Sequence, residues 1–95
     1  MTVAAVSARL CLFDSSMGGP KHPQPSDNRS MLFRFAGDER LFGATTTFDG
    51  GPIEPGRCRS VVLRFMFAEA LLVAASGSLF EVCLGPRVVG LGVVD

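Results

Sequence analysis

Between Arg57 and Phe67 the chain alternates: Val61, Leu63, Phe65 and Phe67 fall on one face, and Ser60, Val62, Arg64 and Met66 on the other. A period of two over that length is the pattern of a strand with one buried face. The pattern recurs. Val3 to Phe13 settles into alternation, with Ala8, Leu10 and Leu12 opposite Ser7, Arg9 and Cys11. Met31 to Ala36 is short and Phe-rich, and Leu41 to Phe48 carries the β-branched run Thr45, Thr46 and Thr47 that suits a half-exposed sheet. Ser78 to Leu84 places Phe80 and Val82 inward, with Glu81 and Cys83 outward. In Arg87 to Val94, Gly90 and Gly92 indicate bends or close backbone approach.

Turn residues punctuate these six segments. Asp14 to Asn28 contains Gly18, Gly19, Pro20, Pro23 and Pro25 and reads as a loop. Gly37-Asp38-Glu39, Asp49-Gly50-Gly51-Pro52, Glu54-Pro55-Gly56 and Gly85-Pro86 read as turns. Glu69 to Ala75 holds good helix formers but is only about two turns long, so it reads as a connection with one helical turn. Six short strands with such punctuation predict an all-β sandwich or barrel, and residues 1–95 form one domain. Eight Phe are available to fill its interior.

The formal net charge is zero, so no long-range field concentrates a polyanion on this chain. Its positive charge is nearly all arginine, which leaves room for a local site that recognises a carboxylate or phosphate. Cys11, Cys58 and Cys83 are an odd set at wide spacing, a poor disulfide framework; the simpler expectation is reduced thiols in a cytoplasmic protein. Met1 to Phe13 lacks the basic start of a leader, and Arg9 interrupts it. The apolar stretch Phe65 to Ala75 is broken by Glu69 and too short to span a bilayer, so no membrane partner is expected.

Catalytic and cofactor chemistry finds little to work with. His22 is the single histidine and lies in the Pro-rich loop, so Cys11 and Cys83 have no base at a defined spacing. Zinc would need about four ligands at short spacings. Glu54, Glu69 and Glu81 do not pair on one element, and Glu81 and Arg64 read as solvated cross-strand partners. Lys21 is the only lysine and is followed by His22, so no phosphate loop is present and neither nucleotide nor other cofactor is expected.

Several segments together resemble the C-terminal β-barrel domain of translation elongation factor Tu. The tail Gly85-Pro86-Arg87-Val88-Val89-Gly90-Leu91-Gly92-Val93-Val94 is similar to that family's closing strand, G-G-R-T-V-G-A-G-V-V, and is the most specific match. Leu79-Phe80-Glu81-Val82 stands where the family has R-F-A-I, and Ile53-Glu54-Pro55-Gly56 resembles its M-x-P-G-D turn. Gly18-Gly19, Pro23, Arg29 and Phe33-Arg34-Phe35 resemble its G-G-R-x-T-P and Y-R-P-Q-F-Y-F segments, and Gly43 answers the glycine of V-T-G. Order and spacing hold from about Val6 to Val94.

The resemblance implies a six-stranded antiparallel barrel without the factor's GTPase domain. In that family the domain helps hold the T stem of aminoacyl-tRNA. Of the implied RNA contacts, Arg29, Gly85 and Arg87 remain as candidates for the phosphate backbone. Met31, Phe42 and Leu84 replace the family's glutamine, threonine and glutamate. Either these three gather as an outer apolar patch that binds a partner, or local register turns them into the core, because a one-residue slip exchanges faces. The expectation is a non-enzymatic interaction module that binds a protein partner, a homodimer being the simplest case. The alternative is an RNA-binding module in translation.

Overall fold

The computed structural model describes residues 5–95. Six strands form a closed antiparallel barrel: β1 (Ala5–Leu12), β2 (Met31–Phe35), β3 (Phe42–Thr47), β4 (Cys58–Phe65), β5 (Leu79–Leu84) and β6 (Arg87–Val94). Around the barrel the order is β1-β4-β3-β2-β5-β6, and β6 returns to pair with β1. Closure leaves no unpaired sheet edge among these strands, which is how a sheet this small avoids edge-to-edge association. The expected start at Val3 lies outside the described residues. The other strand boundaries agree with the alternation to within two residues.

The core is aromatic. Phe35 lies at its centre, with ring centroids 5.6 Å from Phe80, 5.9 Å from Phe65 and 6.2 Å from Phe42. Phe33 meets Phe80 and Phe65 edge-on, at 5.7 and 6.4 Å. Tilted and edge-to-face pairs suit the ring quadrupole and contribute about 0.5–1.5 kcal/mol each beyond burial. Val61, Leu63, Phe65, Phe80 and Val82 are all buried, as their faces predicted.

Two inward glycines make room for this packing. Gly92 of β6 faces Phe80 of β5, and a Cβ there would run into the Phe80 ring. A Cβ on Gly90 would meet the Cys11 carbonyl of β1. The β5–β6 ladder also slips by one residue: Val82 faces Gly90 but Cys83 faces Val88. Val89 is thereby left unpaired and buried. The extra residue belongs to β6, so β5 keeps its period: Cys83 stays on the outer face opposite Leu32, as expected, and is buried there outside the core cluster.

The connection after β4 contains a 3₁₀ turn, Ala68–Leu72, where one helical turn was expected. Ala70 and Ala74 seat in the core. Phe67, expected to face inward, is 64% exposed. The ladder ends where Met66 N–H donates to the Gly43 carbonyl at 3.1 Å, so Phe67 lies beyond the barrel and starts the turn.

The thiol expectation is corrected. Cys11 and Cys58 face each other across β1 and β4 and form a disulfide, with Cα atoms 3.9 Å apart. Leu12 N–H donates to the Arg57 carbonyl at 2.9 Å, so the adjacent Cys11/Cys58 pair is of the non-hydrogen-bonded kind, in which side chains approach most closely. The cysteine argument for a reducing compartment lapses with this bond, since disulfides persist in oxidising ones. Among the described residues no helix is long and apolar enough to cross a membrane.

Candidate interaction surface

The outer face of β2, β5 and β6 is built around one ion pair. Arg34 and Glu81 are register partners; Arg34 Nε and Nη2 donate to Glu81 Oε1 at 2.7 and 2.6 Å. The carboxylate beside it raises the Arg34 pKa further. Glu81 also faces Leu91 of β6, and Leu79 lies two residues before Glu81 on the same outer face. Leu79 is 62% exposed and Leu91 49%. Together they flank a groove of about 590 Å³, whose far wall is the β2–β3 turn from Ala36 to Glu39.

That turn is held by its own charges. Gly37 takes φ 84°, which L side chains rarely adopt. Asp38 accepts from Arg40 through backbone N–H at 2.8 Å and through the guanidinium at 2.7 Å. These hydrogen bonds, the side-chain ones first, lower the Asp38 pKa to about 2. Arg40 lies over the Phe42 ring, 5.1 Å from its centroid. Arg34 and Arg40 thus occupy Glu81 and Asp38, while Glu39 has no ion-pair partner among the described residues. The groove sets the apolar Leu79 and Leu91 beside the Arg34–Glu81 pair, with Glu39 on its rim as a carboxylate without an ion-pair partner among the described residues.

Met31 and Phe42 do not belong to any surface. They are 0% and 7% exposed, and Leu84 is half-buried against the same core. The outer apolar patch is therefore withdrawn. Met31 shares the inward face of β2 with Phe33 and Phe35, and Phe42 shares that of β3 with Ala44 and Thr46.

The candidate RNA contacts do not converge. Gly85 sits exposed in the β5–β6 turn with φ 59°. Arg87 turns back on the loop after β1, where Nη2 donates to the Gly18 and Gly19 carbonyls, both at 3.1 Å. Arg29 leans the other way, over β3 and β4, into a groove with Arg64. Arg64 has no contact with Glu81, which belongs to Arg34.

The cysteine chemistry is narrower than expected. Cys11 has no thiol to offer, and burial pushes the Cys83 thiol pKa up, which disfavours its thiolate. No cluster of three metal-ligating side chains occurs among the described residues.

The groove residues Leu79 and Leu91 did carry a sequence signal. Period two places Leu79 on the outward face of Glu81, and two inward glycines, Gly90 and Gly92, leave Leu91 facing out. No protein-family model matches the chain, and none of the curated proteins matches it.

Proposed function

We propose that this chain is a non-enzymatic interaction module that binds a protein partner through the groove on β2, β5 and β6. The carrying observation is the exposure of Leu79 and Leu91 on either side of the Arg34–Glu81 pair, beside the unpaired Glu39. Exposed aliphatic side chains next to a built polar rim are the marks of a partner site more than of a bare surface. The chemistry fits a segment with one large apolar anchor next to Lys or Arg: the anchor fills the slot between the two leucines, and the base meets Glu39. The resemblance to the C-terminal barrel of elongation factor Tu, a domain that works by packing on neighbours, supports a binding role in the same direction. The RNA reading draws less support, because the Arg87 guanidinium is engaged by two carbonyls of its own chain.

Peptide display against the folded, disulfide-bonded domain tests this reading. The selected sequences should share a large apolar residue next to a basic one, and Leu91→Asp should abolish their binding at unchanged thermal stability. A selection that returns acidic peptides, or none, overturns it.

A further inference from the structure

Four of the eight arginines are occupied within the molecule: Arg34 by Glu81, Arg40 by Asp38, Arg59 by the Asp49 and Gly51 carbonyls, and Arg87 by Gly18 and Gly19. Arg29 and Arg64 have no such partner among the described residues, and they share a groove. We propose that Arg29, Thr45 and Arg64 form a binding site for a phosphomonoester on the β3–β4 side of the barrel, a quarter of the molecule that the partner groove does not reach.

The placement follows from strand register. Thr45 of β3 is the direct partner of Arg64 of β4. On the other side of β3, an isolated antiparallel bridge joins Asn28 to Thr46, which sets Arg29 opposite Thr45. Asn28 and Thr46 point inward and are buried, so Arg29 and Thr45, one residue on, share the outer face. The result is a lateral row, Arg29, Thr45, Arg64, across three neighbouring segments. At the spacing of adjacent strands the two arginine Cα atoms are roughly 10 Å apart, a gap that two guanidinium side chains close from either side. All three line one groove of about 300 Å³, and no carboxylate lines it.

Asn28 makes this row rigid where a loop would be loose. Its Nδ2 donates to Gln24 Oε1 at 2.8 Å, and its Oδ1 accepts from Ser30 N–H at 2.7 Å. The backbone on both sides of Arg29 is thus fixed.

Two guanidiniums and a hydroxyl lining one groove suit a tetrahedral oxyanion, which offers three or four acceptors, better than a planar carboxylate, which one guanidinium can saturate. A phosphomonoester is favoured over a phosphodiester chain for two reasons. Met66, 74% exposed, lines the groove with an apolar side chain and can take the group that carries the phosphate. And the net charge is zero, so no basic track leads a polyanion on from the site.

The test is NMR of the arginine Nε–Hε resonances of the whole chain at constant ionic strength. Inorganic phosphate and phenyl phosphate are titrated against chloride. Both phosphates should give saturable shifts at Arg29 and Arg64, phenyl phosphate binding severalfold more tightly. Arg64→Gln should weaken both by about tenfold or more, as loss of a charge-assisted contact requires; since Arg64 is exposed, the barrel should remain folded, checked by unchanged amide spectra elsewhere. Arg9 and Arg57, exposed and outside the groove, are internal controls. Linear shifts equal to those of Arg9 and Arg57 would mean an adventitious ion only and would overturn the site. A single-stranded RNA oligonucleotide that saturates Arg29 and Arg64 more tightly than phenyl phosphate would overturn the phosphomonoester assignment in favour of a nucleic acid.

Discussion

Gly92 and Phe80 are partners across β5 and β6, and the Phe80 ring occupies the space that any side chain at 92 would need. The Arg9 carbonyl of β1 lies 2.7 Å from the same point, so an added methyl is pinched between a core ring and a neighbouring backbone. Gly92→Ala should therefore destabilise the barrel by about 1–3 kcal/mol, the range for overpacked cores. Urea unfolding measures this. Phe80→Leu in the same chain should return part of the loss, because the two sites touch and their effects do not add.

The Cys11–Cys58 disulfide closes a separation of 47 residues. Cross-linking over that span removes unfolded-state entropy worth about 2–4 kcal/mol. Reduction, or the double change Cys11→Ser with Cys58→Ser, should lower the urea midpoint accordingly. The barrel itself should survive, since β1 and β4 keep a ladder of seven registered pairs. An unfolded reduced protein would show that the bond, not the core, carries the fold.

Asp38 offers a pH test. Its folded pKa is lowered to about 2, first by the side-chain hydrogen bond from Arg40. A depressed carboxylate stabilises the fold above its unfolded pKa, near 3.9, and that contribution is lost as pH falls toward 2. Because Asp38 pairs with the exposed Arg40 within one surface turn, the effect belongs to the turn more than to global stability. Carboxyl ¹³C titration should show Asp38 protonating well below the ordinary carboxylate range, and Arg40→Ala should bring it back to that range. A normal Asp38 titration in the unmodified chain would mean that the turn does not hold in solution.

The inward faces were legible because alternation is local: Ala8, Leu10 and Leu12, or Val61, Leu63 and Phe65, show their burial within one strand. What alternation does not show is the offset between strands distant in sequence. The Cys11–Cys58 bond exists because β1 and β4 pair at one particular register, and spacing along the chain carries no trace of it. Cys83 keeps its outward place opposite Leu32, yet it is buried, because alternation gives the face of a side chain and not what covers it. Phe67 continued the alternation of β4 on paper, but the barrel ends at Phe65. The arginine row depends on two separate registers, Thr45 with Arg64 and Asn28 with Thr46, so only Arg29 could be singled out beforehand. Leu79 and Leu91 were legible from period two, since each stands on the outward face of its strand.

Phe42 and Leu91 give the sharpest contrast. Were Phe42 a surface anchor, Phe42→Asp would leave the fold intact and abolish association. Phe42 is instead 7% exposed, 6.2 Å from the Phe35 ring and covered by Arg40. A carboxylate there replaces an aromatic contact with a charge that has lost its water, so Phe42→Asp should unfold the barrel; removal of a buried Phe alone costs about 3–5 kcal/mol. Leu91→Asp changes a half-exposed side chain on the outside of β6, where surface substitutions usually stay within about 0.5 kcal/mol. Thermal unfolding of the two variants side by side should separate them: an early or absent transition for Phe42→Asp, and a transition close to the parent for Leu91→Asp. Only Leu91→Asp can then report on recognition, because only it removes a surface without removing the protein. Loss of peptide binding by a folded Leu91→Asp domain would place the partner in the groove. Full binding by that same domain would move it elsewhere.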